Sequence, residues 1–278
     1  MNEEGRPSLV EPAATASGQA TTSVQPGLDA ELPAAAASPW RLQDLASFLL
    51  FLFPAFVFAT LSTTAVYGVL RVSFGWKPGA DLSHNAFFLV PMQTLFYAFL
   101  FGFLYALTVL RYRTSFWRSI AWIPATGQER IGYLFAGWLL AVAVQLASAL
   151  VPPKQKLPLD QLFSGPAAAY TLAVFGILIA PVVEEIIFRG FIFAILDKVW
   201  GVGVAVLGSG LLFGAIHMPQ LWGGWMQIAL LVVVGVVFGL ARARTGSLVP
   251  SLLMHVCYNF TIFVYFYLST DGFRRMAG

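Results

Sequence analysis

Charge is scarce in this chain. Only 10% of its 278 residues are Asp, Glu, Lys or Arg, where a soluble domain carries about a quarter. So thin a complement excludes an ordinary soluble globular protein and points to a polytopic membrane protein. The net charge of +3 comes from loop Arg and Lys and forms no basic stripe, so no nucleic-acid partner is expected. Cysteine is nearly absent too. Cys257, the one cysteine, cannot close an internal disulfide and leaves the redox compartment open; its apolar neighbours mark it as a small buried residue. Histidine is confined to His84, His217 and His255. No H-E-x-x-H is present, which excludes an ordinary zincin. A Ser-His-Asp or Cys-His arrangement is likewise missing, which disfavours a covalent serine or cysteine mechanism.

Apolar sequence is what the chain has in abundance, 58% hydrophobic and 15% aromatic. Residues 1–39 are the exception. They are rich in Ala, Ser, Thr, Pro and Gly, cannot bury enough surface to offset their conformational entropy, and are expected to form a disordered tail. They do not read as a signal peptide, because the first apolar run begins near Leu45 and is too long for an h-region. About seven spans follow: Leu45 to Leu70, Ala86 to Leu110, Ile131 to Val151, Ala168 to Trp200, Val202 to His217, Trp225 to Ala241 and Leu248 to Leu268. Runs this apolar must be helical, since only a helix satisfies its own backbone in lipid. The expected fold is an all-α polytopic transmembrane bundle. N-terminal membrane helices occupy 40–160, a core occupies 161–270, and a short tail occupies 271–278. The fourth run would measure about 45 Å as a helix, longer than a ~30 Å hydrocarbon core. A kink or break is expected at Pro181, which removes a backbone hydrogen bond.

Ten of the sixteen basic residues fall in the tail and even-numbered loops. That bias favours a cytoplasmic N-terminus in a cell membrane and a C-terminus on the exterior side. Gly210-x-x-x-Gly214 and Gly235-x-x-x-Gly239 let helix backbones approach closely, and read as internal packing of the fifth and sixth spans. Trp222 and Trp225 read as interfacial anchors.

Against this background, Ala180-Pro181-Val182-Val183-Glu184-Glu185-Ile186-Ile187-Phe188-Arg189-Gly190 stands out. Ionised groups at bilayer depth cost several kcal/mol and persist where they line a polar cavity or have a partner. Glu185 and Arg189 are four apart, the orientation of a helical ion pair. Glu184 is turned ~100° from Glu185 and has no partner in sequence. A carboxylate in a low-dielectric cavity suits a general base near neutral pH, so Glu184 is the candidate base and Glu185–Arg189 a structural brace. His217 shares a helical face with Phe213, and His255 shares one with Asn259. Counted from the expected cytoplasmic ends, Glu184, His217, His255 and Asn259 fall about 10 to 22 Å deep, in overlapping layers. His84 sits in a polar loop and reads as a surface residue.

These residues resemble a known family. Glu184-Glu185-x-x-x-Arg189, then Phe213-x-x-x-His217, then His255-x-x-x-Asn259 is similar to the CPBP intramembrane proteases, which comprise the CAAX proteases and bacteriocin-processing enzymes and are also called the Abi family. That family includes the eukaryotic CAAX prenyl endopeptidase. The lead-in Arg244-Thr245-Gly246-Ser247-Leu248-Val249-Pro250 also matches, and the resemblance runs from about Gly165 to Phe263. It implies an intramembrane endopeptidase acting on a membrane-associated or hydrophobic peptide, such as a prenylated CAAX-type one. By that resemblance Glu184 activates water with His217 helping to position it, while His255 and Asn259 stabilise the oxyanion.

Whether a metal takes part stays open on the sequence. Glu184, His217 and His255 would satisfy the three-ligand pattern of catalytic zinc or another divalent ion, and the same residues could hold water directly in a metal-free mechanism. The expected partners are the lipid bilayer and a peptide or membrane-protein substrate, with the oligomeric state open. Two other readings compete: an inactive membrane scaffold or bacteriocin-immunity protein, and a proton-coupled transporter. The transporter would call for inverted repeats, and no matching pair of broken helices is visible in the N-terminal half.

Overall fold

A computed structural model describes residues 38–75 and 82–274. The tail expected over 1–39, apart from Ser38 and Pro39, and the last residues of the C-terminal tail lie outside them. Among the described residues every regular element is a helix. Among the described residues six helices are long and apolar enough to cross a membrane: α1 (Leu42–Phe74), α2 (Ala86–Arg111), α3 (Gly127–Leu150), α4 (Pro166–Trp200), then, after the shorter α5 (Val202–Ile216), α6 (Trp225–Thr245) and α7 (Val249–Ser269). The chain is a multi-pass membrane protein.

Local sequence explains the helix starts. Asn85 caps α2 by accepting a hydrogen bond from the Phe87 N–H. Thr126 and Glu129 form a capping box at α3, the Glu129 carboxylate accepting from the Thr126 N–H at 2.8 Å. Pro166 opens α4 and Pro250 falls in the first turn of α7, where a missing N–H costs nothing.

The fifth expected span needs correction. α5 has 15 residues, which at 1.5 Å per residue is about 22 Å, short of a hydrocarbon core. Gly201 on one side and the His217–Gly224 turn on the other limit its length. The chain nonetheless reaches the far end of the bundle. Beyond α5, the Gln220 carbonyl accepts from the Leu159 N–H at 2.9 Å, and Gln227 donates to Ser148 and Val151 at the end of α3.

The opposite end is tied together by polar contacts. Lys198 at the end of α4 donates to the carbonyls of Ser38 and Trp40, and the Trp40 indole donates to Thr108. Asp44, fully buried, pairs with Arg111 at 2.9 Å and accepts from the Tyr112 hydroxyl. Burial and this carboxylate hold the Tyr112 phenol above its ordinary pKa, so it remains a donor. Ser247 donates to the Ile123 carbonyl and closes the same layer. Arg41, Arg111, Arg113, Arg118, Arg130, Lys198, Arg242 and Arg244 all belong to helix ends and loops of this layer.

Both G-x-x-x-G motifs pack internally, one against the other, as expected. A Cβ on Gly235 would fall 2.8 Å from both the Cα and the carbonyl oxygen of Gly210, and one on Gly210 would fall 2.7 Å from the Val236 nitrogen. A third close approach joins α3 to α7, where a Cβ on Gly137 would run into the Met254 carbonyl oxygen. Met254 directly precedes His255, so these bare surfaces set the spacing of the helices that carry the polar residues. Cys257, expected to be buried, is only half-buried on α7.

Gly235→Ala places its new methyl against backbone that cannot rotate away. It should destabilise the protein by roughly 1–3 kcal/mol, seen as a lowered thermal midpoint in detergent. Gly132→Ala, with nothing within 4 Å of the new Cβ, should leave the midpoint unchanged or raise it.

Candidate functional site

α4 does not break at Pro181. Instead it widens into π-helix twice, at Phe175–Ile179 and Ile186–Ile192, and the two glutamates sit on the α-helical stretch between, Ala180–Glu185. The first widening and the proline fit together. The Ala180 N–H reaches back five residues to the Phe175 carbonyl. In that register the next donor would be the Pro181 nitrogen, facing the Gly176 carbonyl, and proline has no N–H to give. Asn259 on α7 supplies the missing donor, its side-chain amide reaching the Gly176 oxygen at 2.6 Å. The helix thus stays continuous because a second helix completes it.

Beyond this repair, the two carboxylates meet one imidazole. The His255 Nδ1 donates to Glu185 Oε1 at 3.0 Å, and its Nε2 lies 3.7 Å from Glu184 Oε2. Both glutamates therefore border His255, one at each ring nitrogen, although they face different ways on α4. Glu185 and Arg189 form the expected ion pair at 2.9 Å, with both side chains wholly excluded from solvent. Arg189 donates further to the Gly235 carbonyl at 2.7 Å, and its own carbonyl accepts from Arg242 at 3.2 Å. Its guanidinium carbon lies 4.8 Å from the Phe213 ring centroid and 5.3 Å from that of Phe238, within cation–π range.

Phe213 joins the remaining parts. Its ring centroid lies 5.5 Å from that of His255 and 4.9 Å from that of His217. The His217 Nδ1 donates to the Phe213 carbonyl at 2.8 Å, which leaves Nε2 with a free lone pair in the neutral ring. Glu184, Glu185, Arg189, Phe213 and His255 are thus brought into one cluster. His217 borders it through Phe213, and Asn259 is engaged with Gly176. No hydrogen bond or ion pair among the described residues ties His217 or Asn259 directly to Glu184 or His255. His84 lies in the short turn Leu82–His84 before α2.

One member of the cluster escaped the sequence reading. The Tyr97 hydroxyl, from α2, donates to Glu184 Oε1 at 2.6 Å, and both groups are buried. Glu184 therefore has one oxygen held by Tyr97 and the other turned toward His255. The 3.7 Å separation of Glu184 Oε2 and His255 Nε2 is too long for a direct hydrogen bond. A water ~2.8 Å from each would close a triangle with both. The separation is one that a shared water would span.

Among the described residues no group of three or more His, Cys, Asp or Glu is arranged to hold a metal ion. Glu184 Oε2 and His255 Nε2 lie 3.7 Å apart, and His217, bonded at Nδ1 to the Phe213 carbonyl, keeps Nε2 as the nitrogen that could ligate.

The link between Pro181 and Asn259 can be tested by a double-mutant cycle. Asn259→Leu should destabilise the protein by roughly 1–2 kcal/mol by orphaning the Gly176 carbonyl. In a Pro181→Ala background the restored backbone N–H should remove much of that cost. Equal losses in both backgrounds, measured by thermal unfolding in detergent, would show the two residues to be independent.

No curated protein and no solved structure matches the chain. Residues 166–261, the stretch that carries Glu184, Glu185, Arg189, Phe213, His217, His255 and Asn259, match the family model of the Rce1-like type II CAAX prenyl endopeptidases, the same family that the motifs resemble.

Proposed function

We propose that the chain is an intramembrane endopeptidase in which Glu184 activates water for attack on a peptide bond of a membrane-associated or hydrophobic peptide. The observation that carries this reading is the approach of Glu184 Oε2 to His255 Nε2 at 3.7 Å, both buried within the bundle. The family match over residues 166–261 supports peptide hydrolysis, with a prenylated CAAX-type peptide as the first substrate to try.

The chemistry follows from the positions of the donors and acceptors. Water between the two groups gives a proton to Glu184 Oε2, and the resulting hydroxide oxygen forms a bond to the scissile carbonyl carbon. The carbonyl π pair moves to oxygen, and the developing oxyanion needs donors already in place. His255 Nε2 serves when protonated, its ring held by the Nδ1 bond to Glu185. The second N–H of the Asn259 amide, beyond the one given to Gly176, is the other candidate donor. On collapse the C–N bond breaks, and the leaving amine takes the proton from Glu184. His217 helps position water through Nε2, the nitrogen not engaged with the Phe213 carbonyl.

Orientation is part of the same proposal. The basic residues gathered in the layer of Arg41, Arg111 and Lys198 favour the cytoplasmic face for that end, with the N-terminus on the same side and residence in the cell membrane.

The test uses the full chain in detergent or liposomes and a farnesylated peptide ending in a CAAX-type sequence, with products read by mass spectrometry. The native protein should release the terminal tripeptide. Glu184→Gln should lose activity by at least about a hundredfold while keeping its thermal midpoint. Undiminished cleavage by the variant overturns the assignment. A parallel proteomic comparison of membranes expressing the two forms would identify the physiological substrate.

A further inference from the structure

We propose that Tyr97 is a positioning residue for Glu184, fixing which carboxylate oxygen is available to water; the inference rests on the reading of Glu184 as the base. Tyr97 belongs to α2, outside the stretch that matches the family model. It nonetheless makes the shortest hydrogen bond to the candidate base, 2.6 Å from its hydroxyl to Glu184 Oε1. A free carboxylate turns about its terminal torsion and offers either oxygen, since that rotation is broad and roughly two-fold. With Oε1 held, only Oε2 remains, and it faces His255.

The tyrosine is itself held on its ring. Its centroid lies 5.8 Å from that of Phe175 at an interplanar angle of 24°, and 6.4 Å from that of Phe96. Phe175 opens the first π segment of α4. The ring thus rests on the element that leads into Glu184, and the hydroxyl reaches the side chain that follows. Around the carboxylate stand His255 from α7, Tyr97 from α2, and Glu185 and Arg189 from its own helix. Tyr97 and His255 are the two that approach its oxygens, and Tyr97 is the nearer.

Tyr97→Phe removes the hydroxyl and leaves the ring contacts with Phe175 and Phe96. With the farnesylated peptide as substrate, kcat should fall roughly tenfold to a hundredfold, the size expected for one hydrogen bond to a charged group. KM should stay within about twofold, because the hydroxyl is committed to Glu184, and the thermal midpoint should hold. A readout independent of turnover accompanies it. The carboxylate band that Glu184→Gln removes from the infrared spectrum should shift in Tyr97→Phe. An unmoved band, or a native kcat in Tyr97→Phe beside an inactive Glu184→Gln, overturns the role of Tyr97 alone. Native activity in Glu184→Gln overturns the underlying reading of the base instead.

Discussion

A fully buried charge pair organises this bundle. Glu185 and Arg189 sit one helical turn apart with no access to water, in surroundings where either alone would be strongly destabilising. The pair is not self-sufficient, and its remaining needs are met from other helices. Arg189 reaches the Gly235 carbonyl on α6, and Glu185 reaches the His255 ring on α7. The close packing of Gly235 on Gly210 brings α5 alongside, and with it Phe213, whose ring faces the guanidinium. An ion pair within one helix thereby fixes the relative positions of four.

The second glutamate depends on that arrangement without belonging to it. Because Glu185 holds Nδ1 of His255, the opposite nitrogen is aimed at Glu184. One carboxylate orients the imidazole, and the other shares its far side. The two glutamates thus lie at different nitrogens of one ring, in keeping with their ~100° separation on the helix.

Much of this was legible in the sequence, for physical reasons. Long apolar runs have one solution in lipid, so every expected span is a helix, with ends shifted by a few residues. Glu185 and Arg189 could be paired because four-residue spacing is a property of the helix itself. Counting depth along separate helices put Glu184, His217, His255 and Asn259 in overlapping layers; Glu184 and His255 come within 3.7 Å, whereas His217 bonds to Phe213 and Asn259 to Gly176. What could not be read depends on registers and rotations between elements. Tyr97 is one of nine tyrosines in an aromatic-rich chain, and nothing local distinguishes it from a lipid-facing neighbour. The π turns of α4 leave no compositional mark; of the kink or break suggested at Pro181, the break does not occur, and the helix continues with help from Asn259. That engagement also explains why Asn259 is not simply another group aimed at Glu184.

The brevity of α5 has a consequence for the membrane around it. A helix of about 22 Å between Gly201 and the His217–Gly224 turn cannot match a hydrocarbon layer of ~30 Å. Such mismatch is relieved when lipid thins or headgroups sink locally. Trp222 and Trp225, stacked edge to face at 5.1 Å beside the far turn, are suited to anchoring a depressed interface. Such thinning would lie over the end of the helix that bears His217, where it would bring headgroups nearer that ring.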